Sequence, residues 1–190
     1  MEVMQRDSKK KNFRAHCLKR LKKASTKGVY KKDKIVIDRL YQLIVQSNAR
    51  KIMLYLPLKM EVDLYPLIRR LRQEKKELYV PFMEGESFRV VKYRYPLETK
   101  RFGIKEPKNS KQYRSRKLDM AIVPIVGLDI THRRVGFGKG MYDRFFEKEI
   151  KNINKTVFVA RELCYSWEII TDHYDVKADI VVTPQHIIHF

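Results

Sequence analysis

The sequence predicts an α/β fold: a three-layer α/β/α sandwich built on a Rossmann-like, mainly parallel sheet. Three observations favour it. Short apolar segments alternate along the chain with amphipathic helical segments, which is typical of βαβ units. The apolar segment 120–126 carries no charge and is followed by a glycine-rich turn and a helical pattern. A length of 190 residues with 44% hydrophobic content suits a single domain over residues 1–190.

Hydrophobic periodicity predicts the individual elements. The first helix is expected to begin at a Ser8 cap and to run to about Ala24. The segment 64–74 repeats its apolar residues at helical spacing, whereas 88–93 alternates as a strand does. In chain order, the expected helices are 8–24, 34–46, 64–74 and 141–150, and the expected strands are 51–56, 77–82, 88–93, 120–126, 156–160 and 180–183. Ligands of such folds collect at the carboxyl ends of the strands, where residues 56–63 and the glycine-rich turn fall.

The most informative segment is Arg134 to Asp143, RVGFGKGMYD, which combines three alternating glycines with cations, aromatic residues and a carboxylate. Glycines can adopt backbone angles closed to other residues, so successive amide N–H groups can converge on an anion. The helix expected next would direct its N-terminus at the same anion. With Arg134 and Lys139 adding positive charge, the composition is that of a site for phosphate and magnesium. The alternative is a tight connection between a strand and a helix.

Two familiar phosphate-binding motifs do not fit this segment. A Walker A loop requires Ser or Thr directly after its Gly-Lys, and here Gly140 follows Lys139. A dinucleotide fingerprint requires its third glycine two residues further on. The chain also offers no convincing Ser-His-Asp or Cys-His arrangement, and its five histidines form no credible metal site. His186 and His189 are expected at a frayed C-terminus.

The net charge of +20 is concentrated in two regions. Residues 1–34 hold 13 Lys/Arg against 3 Asp/Glu, and residues 95–117 hold 8 against 2. Such a distribution attracts polyanions, which include nucleic acid, nucleotides and ligands with several carboxylates. The alternative is a solvated basic surface without a specific partner.

Cysteine usage and the absence of a long apolar segment predict a cytoplasmic protein. Cys17 and Cys164 make no metal-ligand pair and are expected to be two reduced thiols. The basic start of the chain has no apolar run behind it, and no segment approaches membrane-spanning length. We therefore expect neither secretion nor membrane contact, and we expect a monomer.

Six segments carry a family resemblance, and together they span nearly the whole chain: 10–14 (KKNFR), 55–63 (YLPLKMEVD), 103–107 (GIKEP), 119–124 (DMAIVP), 134–144 (RVGFGKGMYDR) and 175–183 (DVKADIVVT). In this order they resemble the 5-formyltetrahydrofolate cyclo-ligase family, also called methenyltetrahydrofolate synthetase. The glycine-rich block is the specific one. The resemblance implies an ATP-dependent ring closure that requires magnesium, in which 5-formyltetrahydrofolate and ATP become 5,10-methenyltetrahydrofolate, ADP and phosphate.

The resemblance also implies roles for individual residues. ATP would be bound by Lys10, Arg14, Arg134, Gly136, Gly138, Lys139, Gly140 and Tyr142, with Arg134 and Lys139 catalytic. Magnesium would be bound by Asp143 and Asp179. Folate would be contacted by Glu61, within a wall formed by Leu56, Phe137 and Met141. The formyl oxygen is expected to attack the γ-phosphate and give an N5 iminophosphate, from which N10 displaces phosphate. Such phosphoryl transfer needs positioning and charge neutralisation more than a protein nucleophile.

Two other functions compete with this one. The first is a basic nucleic-acid-binding protein on the same fold, supported by the charges of 1–34 and 95–117 and by the interspersed aromatic residues Tyr30, Tyr95 and Tyr113. The second is an ATP-dependent member of the same family with another small substrate. It would keep the nucleotide residues and lose the dependence on Glu61.

Overall fold

The structure is a computed structural model that describes residues 2–100, 103–108 and 117–190, with side chains from residue 5 onward. Its helices are α1 (Glu2–Ala24), α2 (Val29–Gln46), α3 (Tyr65–Gln73) and α4 (Met141–Glu149), and a 3₁₀ turn (Ile150–Asn152) follows α4. Its strands are β1 (Lys51–Met53), β2 (Glu77–Glu84), β3 (Ser87–Lys92), β4 (Leu97–Thr99), β5 (Lys105–Pro107), β6 (Met120–Pro124), β7 (Gly127–Asp129), β8 (Arg134–Val135), β9 (Thr156–Val159), β10 (Tyr165–Ser166), β11 (Ile180–Val182) and β12 (Ile187–His189). Among the described residues, no helix combines the length and the apolar composition needed to cross a bilayer.

Seven strands form one sheet in the order β12-β11-β9-β6-β1-β2-β3. The inner contacts of the sheet, from β11 through β9, β6 and β1 to β2, are all parallel. The edge strands β3 and β12 run antiparallel to their neighbours. Parallel neighbours need a crossover, which α3 supplies between β1 and β2 and α4 supplies between β6 and β9. The predicted α/β class with a mainly parallel sheet is confirmed.

Helices cover both faces of this sheet, because successive side chains of a strand point to opposite faces. Ile52 of β1 belongs to a core with Leu40 of α2 and Leu67 of α3. The next residue, Met53, belongs to a second core with Leu21 of α1 and Phe145 of α4. The two cores and the sheet between them make the three predicted layers.

Helix α1 begins at Glu2, six residues before the expected Ser8 cap, so that expectation was wrong. The added turns lie against the distant segment 168–175. There Arg6 Nη1 lies 3.7 Å from Asp172 Oδ1, and just after these turns Lys9 and Lys10 pair with Glu168 and Asp175. Because these partners are more than 150 residues away, no local cap signal could have indicated that the helix extends this far.

The C-terminus is more ordered than the sequence suggested. Residues 187–189 form β12, which pairs with β11, so the expected frayed end was wrong. The ring of Phe190 stacks on the ring of His132 with a centroid distance of 3.7 Å. The last residues therefore close the edge of the sheet.

The two cysteines form a disulfide, so the expectation of two reduced thiols was wrong. Their Cα atoms lie 5.6 Å apart although 147 positions separate them in the chain. Cys17 lies on the buried face of α1, and Cys164 lies in the segment between β9 and β10. The fold brings together contexts that look unrelated in sequence, and the bridge fixes α1 to the sheet side that it covers.

The basic region 95–117 is only partly described. Its described residues contain a small antiparallel hairpin of β4 and β5. The buried Glu106 of β5 accepts a hydrogen bond of 2.8 Å from the Met83 backbone N–H of β2, which fixes this hairpin to the main sheet. Residues 101–102 and 109–116, including Tyr113, lie outside the described residues.

Candidate active site

A cleft of about 1010 Å³ opens at the carboxyl end of the central strands. Arg134, which lines the cleft, shows this location, because its Nε donates to the carbonyl oxygen of Pro124, the last residue of β6, at 3.1 Å. Six parts of the chain line the cleft: α1, Leu58, the tip of the β2–β3 hairpin, Ile104, the glycine turn 134–140 with α4, and the segment 173–175. Its volume is at the upper end of the range for small-molecule sites, which suits a long ligand or two ligands side by side.

The glycine turn is shaped by positive φ angles. Gly138 has φ +94° and Gly140 has φ +63°, conformations that other residues adopt only with strain. Gly140 is the N-cap residue of α4, so the turn leads directly into a helix N-terminus that favours anions. Arg14 of α1 braces the turn, because its Nε donates to the carbonyl oxygen of Gly136 at 2.9 Å.

Arg134 is the buried cation of the site, with 5% of its surface exposed. Its Nη1 lies 3.4 Å from Asp143 Oδ1, and its guanidinium lies 4.8 Å from the centre of the Tyr142 ring. A Cβ atom at Gly136 would lie 2.7 Å from the Arg134 Cζ, so the glycine leaves room for this side chain. The guanidinium is thus held in one orientation beneath the turn, whereas Lys139 lies on the exposed side of the turn.

Three carboxylates lie beside the cations of the cleft, where Asp143 pairs with Arg134 and Asp175 pairs with Lys10. We call Asp143, Asp172 and Asp175 the acidic end. Asp175 is 5% exposed, and burial raises the pKa of its carboxyl. Hydrogen bonds from the Asp172 backbone and from Lys10 lower this pKa, and the negative charge of Asp143 raises it. Asp143 and Asp175 are therefore close enough to interact electrostatically. The ammonium of Lys10 contacts Asp175 and lies 3.4 Å from Asp172 Oδ2.

Asp129 fixes the segment that carries the acidic end. It is fully buried at the end of β7, and its Oδ2 accepts hydrogen bonds of 2.9 Å from the backbone N–H groups of Ile170 and Thr171. The Asp172 backbone N–H in turn donates to Asp175 Oδ2 at 2.8 Å. This scaffold could not be predicted from the sequence, because an isolated aspartate carries no periodic signal.

Asp179, the other expected magnesium ligand, does not line this cleft among the described residues. It directly precedes β11, and its Oδ2 accepts a hydrogen bond of 2.7 Å from the Thr156 backbone N–H at the start of β9. The amino ends of these parallel strands lie on the opposite side of the sheet from their carboxyl ends, where the glycine turn lies. Asp175, four residues earlier in the same resembling block, occupies the cleft instead.

Glu61 and Leu56 lie behind the wall of the cleft rather than on it. Leu56 is buried in the core, and the Glu61 carboxylate accepts a hydrogen bond of 2.7 Å from the backbone N–H of Leu58, which does line the cleft. Burial raises the pKa of Glu61 to about 7, although that hydrogen bond and the charges of Arg134 and Arg161 lower it. The pKa of Tyr142 is raised as well, by burial and then by the charge of Glu61. Glu61 is therefore an ionisable group poised near neutrality behind the Arg134 and Tyr142 side chains.

A buried ion pair, which the sequence did not reveal, holds the Glu61 loop in place. Arg161 Nε and Nη2 donate to the two Asp33 oxygens at 2.6 and 2.7 Å. Asp33 also accepts a hydrogen bond of 3.0 Å from the Asp63 backbone N–H, and Arg161 Nη1 lies 3.4 Å from the Lys59 carbonyl oxygen. The pair thus connects α2 and the end of β9 to both sides of Glu61.

Substitution of Arg161 with Met should lower the free energy of unfolding by about 3–5 kcal/mol, because it leaves the buried Asp33 carboxylate unpaired. Urea unfolding followed by circular dichroism measures the loss. The double variant Asp33→Asn/Arg161→Met should lose less than Arg161→Met alone. Lys34→Met is the matched control, since it breaks the neighbouring exposed pair with Asp38 and should leave the midpoint nearly unchanged. Equal midpoints for wild type and Arg161→Met would contradict the assigned role.

Aromatic and apolar side chains form the wall between the glycine turn and the β2–β3 hairpin. Phe137, Met141 and Tyr142 line the cleft, together with Met83 of the hairpin. The Tyr142 ring meets the Phe88 ring edge to face, with a centroid distance of 4.9 Å. Arg144 holds the two sides together, because its Nε donates to the Glu86 carbonyl oxygen at 3.0 Å and its Nη2 donates to the Lys139 carbonyl oxygen at 2.6 Å. A flat ring can lie against this wall.

The donor set at the acidic end suits a hard divalent cation that also binds phosphate. The described residues contain no group of three or more His, Cys, Asp or Glu able to hold a metal by themselves. Magnesium commonly takes only one or two carboxylates, with phosphate oxygens and water completing its shell. Asp143 and Asp175 fit that requirement. Asp179 does not, since it lies at the amino ends of the strands, away from the cleft.

Comparison with known proteins shows which family the chain resembles. The model of the 5-formyltetrahydrofolate cyclo-ligase family matches residues 6–184. A 5-formyltetrahydrofolate cyclo-ligase of Haemophilus influenzae is 30% identical over 159 residues, which is 77% of this chain and 83% of that protein. The enzyme of the same name from Escherichia coli K12 is 27% identical over 146 residues, 73% of this chain and 80% of its own length.

Two solved structures share the fold. The structure of Aquifex aeolicus 5,10-methenyltetrahydrofolate synthetase superposes with a TM-score of 0.76 at 30% identity, covering 95% of this chain and 92% of its own. A 5,10-methenyltetrahydrofolate synthetase from Mycoplasma pneumoniae superposes with a TM-score of 0.70, covering 92% and 98%, and at 20% identity it supports the fold alone.

Proposed function

Because the chain belongs to the 5-formyltetrahydrofolate cyclo-ligase family, we propose that it uses ATP and Mg²⁺ to convert 5-formyltetrahydrofolate into 5,10-methenyltetrahydrofolate, ADP and phosphate. As a family member it is an enzyme, a ligase of folate one-carbon metabolism. One observation supports the ATP- and metal-dependent part of the proposal: a single cleft holds the glycine turn with its cations and, beside them, the carboxylates Asp143 and Asp175.

The triphosphate binds along the glycine turn in this proposal. The turn and the start of α4 supply backbone N–H groups, and Arg134 and Lys139 neutralise the charge of the transferred phosphoryl group. Arg14 keeps the turn in shape through its bond to Gly136 and lines the same cleft. Lys10 lies across the cleft, within reach of the same phosphate chain. Asp143 and Asp175 would hold magnesium, which when bound neutralises negative charge on the phosphate oxygens.

The chemistry follows from the poor leaving ability of the formyl oxygen. That oxygen attacks the γ-phosphorus, the bond from phosphorus to the ADP oxygen breaks, and the formyl group becomes an N5 iminophosphate. The N10 lone pair then attacks the formyl carbon. Phosphate departs with the former formyl oxygen, and N10 loses its proton to give the methenyl bridge. The protein provides position and charge in both steps, in keeping with the absence of a convincing nucleophilic triad in the sequence.

The pterin ring is proposed to lie against the wall of Phe137, Met141 and Tyr142, with Glu61 behind it. A carboxylate can accept two hydrogen bonds from the amino group and ring N–H of a pterin. The Glu61 carboxylate is half-buried and accepts the backbone N–H of Leu58, a residue that lines the cleft, so the pterin donors would share the carboxylate with that hydrogen bond or replace it. The N–H groups of a bound pterin would favour the ionised carboxylate of Glu61 over its neutral acid.

The near-ultraviolet absorbance of methenyltetrahydrofolate tests the whole proposal. Purified protein is mixed with 5-formyltetrahydrofolate, ATP and Mg²⁺, and each component is omitted in turn. The proposal expects a rise in absorbance that needs all three. A protein that binds ATP yet gives no rise favours the family enzyme with another small substrate.

The raised pKa of Glu61 makes stability depend on pH in a defined direction. Its pKa is about 7 in the folded chain and near 4.5 when unfolded, so the folded state holds the proton more tightly. Stability from this group is therefore full below pH 4.5 and is lost as pH rises through 7. Relative to wild type, Glu61→Gln should gain about 1–3 kcal/mol of unfolding free energy between pH 4.5 and pH 8.

Urea unfolding of both proteins at the two pH values measures this difference. The same variant should lose activity, because Gln cannot supply the two acceptors that the pterin needs. A wild-type minus variant difference that stays constant with pH would contradict the buried, titrating Glu61.

A nucleic-acid-binding function is the second candidate, favoured by two exposed aromatic residues in the basic regions. Tyr30 is 80% exposed and Tyr95 is 60% exposed. Several cations of α1 have intramolecular partners, however, including Arg20 with Glu162 and Lys9 with Glu168. Salt-sensitive retention of RNA that competes with ATP would favour this candidate. RNA binding that leaves cyclo-ligase activity intact would make it an additional property.

A further inference from the structure

Lys10 is bound to carboxylates rather than directed at the glycine turn. Its ammonium contacts Asp175 Oδ2 and lies 3.4 Å from Asp172 Oδ2. The three side chains are largely buried, with exposures of 12% for Lys10, 4% for Asp175 and 17% for Asp172. The Tyr174 hydroxyl donates to the same Asp172 oxygen at 2.9 Å. Lys10 is therefore the principal counter-ion of the acidic end.

We propose that Lys10 is an exchangeable counter-ion: it neutralises Asp175 until magnesium and nucleotide bind together, and it then moves from carboxylate to phosphate. The inference rests on the proposed function, because it takes Asp143 and Asp175 as the metal-binding pair. It adds that one lysine has two alternative partners, and that this exchange makes metal binding depend on the nucleotide.

Electrostatics supports the exchange. A divalent cation that approaches the acidic end alone meets three resident cations: Lys10 on Asp175, Arg134 on Asp143 and Arg6 on Asp172. Binding would displace Lys10 and leave a largely buried ammonium without a partner, which is costly. A triphosphate removes this cost, because its oxygens accept the displaced ammonium a short distance away. Magnesium by itself should therefore bind weakly, and magnesium with ATP should bind well.

The adjacent residue provides a matched control. Lys9 lies on the same helix and forms an ion pair with Glu168 at 2.6 Å, but both side chains are more than half exposed and neither lines the cleft. Lys9→Met removes the same charge from α1 without changing the counter-ion of Asp175. Any effect of overall charge is therefore shared by Lys9→Met and Lys10→Met, whereas the exchange affects only Lys10→Met.

The test uses Mn²⁺ as a paramagnetic probe of the magnesium position. Free Mn²⁺ is followed by electron paramagnetic resonance in titrations of wild type, Lys9→Met and Lys10→Met, without nucleotide and with a non-hydrolysable ATP analogue. Without nucleotide, Lys10→Met should bind Mn²⁺ at least about tenfold more tightly than the other two proteins. For the analogue itself, Lys10→Met should bind at least about tenfold more weakly, since one phosphate partner is gone.

The two effects have opposite signs, so a misfolded variant, which would lose both kinds of binding, cannot imitate them. Equal Mn²⁺ affinity of wild type and Lys10→Met without nucleotide would overturn the exchange while leaving the proposed reaction in place. Failure of wild type to bind Mn²⁺ even with the analogue would remove the metal site, and the exchange with it.

Discussion

Replacement of Asp175 with Asn is expected to lower kcat/KM for magnesium-ATP by about 100- to 1,000-fold, the scale on which a fixed charge contributes to phosphoryl transfer. Asn keeps the shape of Asp175 and can still accept the Asp172 backbone hydrogen bond, but it cannot neutralise a divalent cation. Steady-state kinetics with varied Mg²⁺ measure the loss. Extra Mg²⁺ should restore part of the activity if the carboxylate is a metal ligand.

Asp179→Asn is the control for this experiment. Asp179 accepts the Thr156 backbone N–H, which an Asn oxygen can do equally well, and it lies on the far edge of the sheet. The variant should keep its activity within about twofold, as surface changes away from a site usually do. If Asp179→Asn loses activity and Asp175→Asn does not, the second metal ligand is the one that the sequence indicated, and the site needs a different arrangement.

Replacement of Arg134 with Met is expected to lower kcat by about 1,000-fold or more, on the scale of the arginines that stabilise transferred phosphoryl groups. Arg134 is held by the Pro124 carbonyl oxygen, Asp143 and the Tyr142 ring, so its charge is in place before the reaction begins. Single-turnover measurements separate this loss from weaker ATP binding. The loss should appear mainly in the chemical step.

Arg133→Met is the matched control for Arg134→Met, because Arg133 is the preceding cation and does not line the cleft. It lines a smaller neighbouring cavity, which meets the cleft at Asp175. The Arg133→Met variant should change kcat little. Comparable losses in the two variants would indicate a general effect of charge and would remove Arg134 from its catalytic role. Circular dichroism of both variants checks that the fold persists.

The fold followed from the sequence because its signals are local and repeated. Alternating apolar strands and amphipathic helices predicted the parallel sheet and its two helical layers, and the glycine turn predicted where ligands collect. The predicted boundaries of helices and strands were wrong where contacts with distant residues determine them, as at the N-terminal turns of α1 and at β12. The single domain over 1–190 and the monomeric state stay predictions.

The sequence indicated the part of the candidate site that the glycine-rich segment 134–143 forms, but not the parts around it. The residues of the glycine turn line one cleft with Lys10 and Arg14, as the resemblance suggested. Asp175 and Asp179 belong to the same short segment, in which Asp179 directly precedes β11 and Asp175 lies four residues earlier. The Asp33–Arg161 pair and the disulfide join residues more than 120 positions apart, which no periodicity or spacing can indicate.

The disulfide has a consequence for how the cleft reforms after local opening. The Cys17–Cys164 bridge is a branch point from which two segments run to the cleft, one carrying Lys10 and Arg14 and the other carrying Asp172 and Asp175. These residues all lie within about a dozen positions of the bridge, so it keeps the cationic and acidic segments at high effective concentration even when both are detached from the sheet. The cationic and acidic segments that line the cleft therefore meet again by a short tethered search, which does not depend on the chain between the two cysteines.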